Sequence, residues 1–103
     1  MVIKKDGTFE PFDRNKLMRG IFNAIKKRPV NIERVNKIAE DVENHFANAM
    51  ISQTTSEEIG NMTLELLKDV DDVAYIRFAS VYKAFTSVEG FITAISELDR
   101  KHK

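Results

Sequence analysis

One hairpin signal at the head of the chain, followed only by consecutive helical stripes, is what most narrows the folds open to these 103 residues. Val2 to Lys5 and Thr8 to Phe12 flank Asp6-Gly7, and a two-residue Asp-Gly loop favours a turn with positive φ at both central positions. Pairing around such a loop sets Lys5 opposite Thr8, Lys4 opposite Phe9 and Ile3 opposite Glu10. Side-chain alternation then puts Val2 and Lys4 on one face and Ile3 and Lys5 on the other. A lone hairpin is marginal in water, so it needs a third strand or a helical cover. The extended stretch at residues 50–53 is the expected third strand of a small antiparallel sheet.

Asp13 reads as an N-cap, with Leu17, Ile21, Ala24 and Ile25 at helical spacing up to the stop at Pro29. A second helix starts at Asn31 and carries the stripe Ile32, Val35, Ile38, Ala39, Val42, Phe46 and Ala49. Thr55-Ser56-Glu57-Glu58 has the form of a capping box, opening a helix through about Lys68 that buries Ile59, Met62, Leu66 and Leu67. Asp71-Asp72 precede a fourth stripe of Val73, Ala74, Phe78, Val81, Tyr82 and Phe85, of which Phe78, Val81 and Phe85 read as core. Ser87 caps a last helix with Val88, Phe91, Ile92, Ile95 and Leu98. No repeat, low-complexity tract or Pro/Gly-rich linker divides the chain. The expectation is one α+β domain over residues 1–103, its sheet packed with four to five helices.

The chain has no cysteine, and His45 and His102 lie far apart, so neither zinc nor another structural metal is expected. No apolar run nears the roughly 20 residues of a membrane span, and no signal-peptide layout opens the sequence. These features predict a soluble, cytoplasmic protein without a membrane partner. The 16 basic and 16 acidic residues cancel, but residues 1–28 hold eight Lys/Arg against three Asp/Glu, a local +5 against −5 for the remainder. Such segregation suits an anionic ligand at the N-terminal end as well as a solvated cationic face.

Hairpin and first helix combine into one candidate site. The helix start after Asp13 offers backbone N–H groups and partial positive charge, Lys16 sits in its first turn, and Lys4 and Lys5 flank the turn. That constellation suits a polyphosphate. Val2 or Phe9 could cover a flat base and Glu10 could orient base or ribose, although no Gly-rich phosphate loop is present.

The stretch "VIKKDGTFEPFDRNKL" resembles the opening of an ATP-cone domain, the regulatory ATP/dATP-binding module at the head of ribonucleotide reductase large subunits. "KRPVNIERVNKIAEDVE" and "LKDVDDVAYIRFASVYKAFTSVEGFI" extend the likeness to the ATP-cone of NrdR-type repressors of ribonucleotide reductase genes, over residues 1 to about 98. Those repressors carry an N-terminal zinc ribbon with four cysteines, which this chain lacks, so a trimmed piece and a stand-alone cone are both open. The resemblance implies that Val2 and the hairpin contact the base, that Lys4 and Lys5 reach the phosphates, and that Glu10 and Lys16 close the pocket. Position 5 is Lys where Arg is usual, which keeps the charge but loses the planar fork. Thr55 or Ser56 is a looser correspondence, and Tyr75, Tyr82 and Lys83 match positions suited to a second nucleotide or a subunit contact.

The expected function is thus a non-catalytic sensor of ATP or dATP, with or without Mg²⁺, that converts occupancy into oligomeric state or partner contact. The partner would be a second copy, a ribonucleotide reductase subunit or a DNA-binding zinc ribbon. Phe91 and Ile95 on the last helix mark the expected assembly surface. The alternative is a small basic-faced helical domain that binds nucleic acid or protein without nucleotide, which zero net charge weakens. A phosphoryl-transfer enzyme would need a metal-holding carboxylate pair, and the acidic run Asp69, Asp71 and Asp72 reads instead as a helix boundary.

Overall fold

In the computed structural model, which describes residues 2–4, 6–48, 54–82 and 88–101, three two-residue strands and five helices are present among the described residues. Their order is β1 (Val2–Ile3), β2 (Phe9–Glu10), α1 (Arg14–Ala24), α2 (Ile32–Asn48), β3 (Thr54–Thr55), α3 (Ser56–Lys68), α4 (Asp72–Tyr82) and α5 (Val88–Lys101). The expected α+β architecture is the one found. Ala49, residues 50–53, Phe85 and Ser87 lie outside the described residues.

The hairpin forms with a register one residue away from the expected one. Val2 pairs with Glu10 and Ile3 with Phe9, while the Lys4 N–H donates to the Thr8 carbonyl and the Gly7 N–H to the Lys4 carbonyl. Gly7 takes positive φ, at 85°, and Asp6 does not, so this is not the two-residue loop with both central residues left-handed. The reason is local chemistry. Asp6 spends its carboxylate on the Thr8 N–H and hydroxyl at 3.0 and 2.6 Å, a turn that needs just one left-handed residue after it.

The third strand also departs from expectation. Strand order is β2-β1-β3, and β3 runs parallel to β1, Val2 beside Thr54 and Ile3 beside Thr55, so the sheet is mixed rather than antiparallel. Two helices separate β2 from β3, and a connection of that length can return the chain in either direction, unlike a hairpin. Central β1 thereby places Val2, only 5% exposed, at the middle of the sheet.

Each of α1 to α4 starts where a side chain can hold its first amides. Asp13 accepts from the Asn15 and Lys16 N–H groups, and Asn31 from the Arg34 N–H at 2.9 Å. Thr55 accepts from the Glu58 N–H at 3.0 Å; the Glu58 carboxylate accepts from the Thr54 hydroxyl at 2.8 Å, one residue before the partner a capping box uses. Asp71 caps α4 through the Ala74 N–H.

α1 packs on α4 and α2, and α3 packs on α4 and α2, around a core of Ile21, Ala24, Val35, Ile38, Leu64, Leu67, Ala74, Tyr75 and Ala79. One expected core position, Val81, is corrected, and two stripe residues stay outside the packing. Ile32 and Val88 open their helices and stay 63% and 73% exposed, beyond the reach of the packing, and Val81 is 85% exposed because α4 turns Ala74, Tyr75 and Ala79 inward instead.

Arginines tie the α1–α2 connection to α4 at both ends. Arg28 donates to both oxygens of Asp71 at 2.9 to 3.1 Å, and Arg77 returns from α4 to the Ala24 and Lys26 carbonyls. This connection contains Lys27 at φ 62°, a left-handed residue with a side chain.

Candidate nucleotide site

Where β1, β2, α1, α3 and α4 meet, a cleft of about 330 Å³ opens. Val2 forms part of its floor because β1 is central, and Glu10 reaches it from the paired position on β2. α1 runs along one wall, presenting Lys16, Gly20 and Asn23 at three- and four-residue spacing, hence on one face. The seven-residue step from Lys16 to Asn23 spans about 10 Å of helix axis. α3 supplies Ser56, Ile59 and Gly60, and α4 supplies Arg77, Phe78, Val81 and Tyr82.

The cleft's two ends differ in chemistry. At the hairpin end, Lys16 Nζ lies 3.3 Å from one Glu10 oxygen and Lys4 Nζ 3.9 Å from the other, next to the start of α1. Along the walls, Val2, Phe12, Leu17, Ile59, Phe78 and Val81 are apolar. An apolar slot with a few placed polar groups at one end is the ordinary form of a small-ligand site.

Two interior-helix glycines let the walls close. A methyl on Gly20 would touch the Phe78 ring at 3.4 Å, and one on Gly60 would fall inside the Tyr82 ring. Phe78 and Tyr82 stack with centroids 6.2 Å apart, and the Tyr82 hydroxyl donates to the Ser56 carbonyl at 3.2 Å. Burial, with Glu57 adding repulsion, pushes the Tyr82 hydroxyl up to about 12, so it remains a donor at neutral pH.

Of the residues expected in the site, Val2, Glu10, Lys16 and Ser56 line the cleft together, and Lys4 joins through Glu10. Thr55 does not line it; its hydroxyl is engaged as the α3 cap. Phe9, the other expected base cover, is 53% exposed and outside the lining. Lys5 and Lys83 lie outside the described residues. Tyr82 lines this same cleft, whereas Tyr75 is no surface residue: it is 5% exposed in the core, with Lys68 Nζ 5.7 Å from its ring centre. Phe91 and Ile95 stand on α5, 37% and 43% exposed.

Gly20, Asn23, Ile59, Gly60 and Arg77 also line the cleft and were not anticipated as site residues. The two glycines were findable, since a glycine inside a helical stripe marks close approach of another group. Arg77 carries no such mark in sequence. Among the described residues no group of three or more His, Asp or Glu is placed to hold a metal ion, and no helix is long and apolar enough to cross a membrane.

The sequence model described as the ATP cone domain matches residues 1–88. Proteins named transcriptional repressor NrdR are similar along nearly the whole chain. That of Caldicellulosiruptor bescii is 48% identical over 98 residues, covering 95% of this chain and 64% of the relative. Those of Dictyoglomus thermophilum and Geobacillus kaustophilus are 48% and 44% identical, each covering 98% of this chain and 67% and 66% of the relative. The chain therefore spans about two thirds of the length of these relatives, and less than that of the first. With hairpin, capped helices and cleft all inside the matched region, the chain belongs to the ATP-cone domain family.

Proposed function

We propose that the cleft binds an adenine nucleotide, ATP or dATP, as a regulatory ligand, and that the chain is the sensing module of a repressor controlling ribonucleotide reductase genes. The observation that carries this reading is the convergence of Val2, Glu10, Lys16 and Ser56, from four different elements, on one apolar-walled cleft. The base would lie between the apolar walls, and the phosphates would extend toward Lys16, Lys4 and the start of α1. Any Mg²⁺ would arrive with the nucleotide. The role is regulatory, with no covalent step assigned to any residue.

Occupancy would be transmitted as a change in assembly. A ligand shifts such an equilibrium only by its differential affinity for the two states. α3 and α4 wall the cleft and α5 packs on α4, so in this reading α5 is the output face. Its Phe91, Ile92 and Ile95 remain 37%, 54% and 43% exposed, suited to contact with a second copy. Isothermal titration with ATP, dATP and GTP, with light scattering on the same samples, tests both parts: adenine-selective heat with a change in mass supports the sensor, and a folded chain that binds none of the three overturns it.

A further inference from the structure

Lys4, Lys16 and the first amides of α1, described groups that would attract a phosphate, are already engaged by the protein's own carboxylates. Lys16 Nζ lies 3.3 Å from Glu10 Oε1 and Lys4 Nζ 3.9 Å from Glu10 Oε2, so one side chain bridges cations from β1 and α1 with one oxygen for each. Beside it, Asp13 accepts from the Asn15 and Lys16 amides at the head of α1. Asp13 serves the helix as its cap. Among the described residues Glu10 holds no backbone amide with its side chain, which is placed between the two ammonium groups and lines the cleft.

We infer that Glu10 is a resident counterion, which an incoming phosphate chain displaces from Lys4 and Lys16, so that phosphate attraction alone does not fill the cleft. This rests on the nucleotide reading of the same site and adds a specificity device to it. A base-free polyphosphate exchanges one set of ion pairs for another and gains only the difference. A nucleotide makes the same exchange and also buries its base against the apolar walls, a gain that does not compete with Glu10. Glu10 thereby holds down the affinity of anions that lack a base. A carboxylate whose task is to orient the base predicts the opposite, because removing it then weakens nucleotide and leaves inorganic polyphosphate unaffected.

The test uses the full chain, as wild type and as Glu10→Gln, titrated with inorganic tripolyphosphate and with ATP at one low salt concentration. Two exposed pairs are relieved by the substitution, so Glu10→Gln should bind tripolyphosphate about three- to tenfold more tightly. In a Lys16→Ala background that gain should shrink, since the pair it relieves is already broken. No tightening, no tripolyphosphate binding by either chain, or a gain undiminished by Lys16→Ala overturns the inference. Failure of the wild type to bind ATP, with the tripolyphosphate gain intact, removes the nucleotide reading and leaves the counterion. ATP binding with no gain for tripolyphosphate does the reverse.

Discussion

The Tyr82 ring occupies the space that a side chain at position 60 would fill, so Gly60 is what allows α4 to close against α3 along the cleft. The hydroxyl then reaches the Ser56 carbonyl in the first turn of α3. Gly60→Ala raises helix propensity by about 1 kcal/mol but forces an aromatic ring to move, and the cost of that movement outweighs the gain. Overpacking of this kind costs about 1–3 kcal/mol, which urea denaturation should read as a lower midpoint with unchanged slope. Tyr82→Phe removes only the hydrogen bond and should cost about 0.5–1.5 kcal/mol. If Gly60→Ala is as stable as the wild type, Tyr82 is not held where the structure puts it.

Arg28 and Asp71 give the fold an acid limit. Hydrogen bonds from the Arg28 guanidinium, then from the Ala74 amide, hold the Asp71 carboxyl below its ordinary value of 3.8 despite the opposing effect of burial. A carboxyl with a lowered folded pKa contributes its stability above the unfolded value and loses it as pH falls through the folded one. Wild-type stability should therefore decline below about pH 4, and Asp71→Asn should show a shallower decline there. At pH 7 the same substitution should cost about 1–3 kcal/mol, because the guanidinium keeps only a neutral acceptor. Equal acid slopes for the two chains, measured by urea denaturation across that range, would contradict this assignment.

Lys27 stands at φ 62° just past the end of α1, where glycine carries no Cβ penalty. Lys27→Gly should raise stability by about 0.5–1 kcal/mol, less whatever the freer unfolded chain takes back. A thermal melt of the two chains is sufficient, and a lower Tm for the glycine variant would count against a left-handed Lys27.

If α5 carries the output, a charge on its exposed apolar face should block assembly without harming the cleft. Ile92→Glu and Ile95→Glu replace side chains that are 54% and 43% exposed, so each should change stability by less than about 0.5 kcal/mol. Nucleotide-dependent mass measured by light scattering should fall to that of one chain. Unaltered assembly in both variants would move the interface elsewhere.

Much of the fold was legible because the caps are local. Asp13, Asn31, Thr55 and Asp71 are polar residues set directly before apolar periodicity, and each holds an amide at its helix start. The hairpin was legible as an element but not in register, since the Asp6 contact with Thr8 decided which turn formed, and several Asp-Gly turns share one sequence pattern. Strand direction was not legible: Thr54 and Thr55 meet β1 only after two helices have been packed. For the site, the residues near the hairpin could be read because they are close in sequence. Arg77, Phe78 and Val81 could not, since their faces are assigned by how α4 lies on α1, and Val81 fits the apolar stripe while facing the cleft.

The central claim is that nucleotide occupies the cleft beneath the hairpin, and amide-resolved NMR titration of the labelled chain with ATP tests it most directly. The account predicts shifts concentrated at Val2, Glu10, Lys16, Gly20, Ser56 and Gly60, on four elements that meet at this cleft, and their loss in Lys16→Ala at the same ATP concentration. Shifts confined to the outer face of α2 around Lys37 and Glu40, or no shifts from a folded chain, would contradict it.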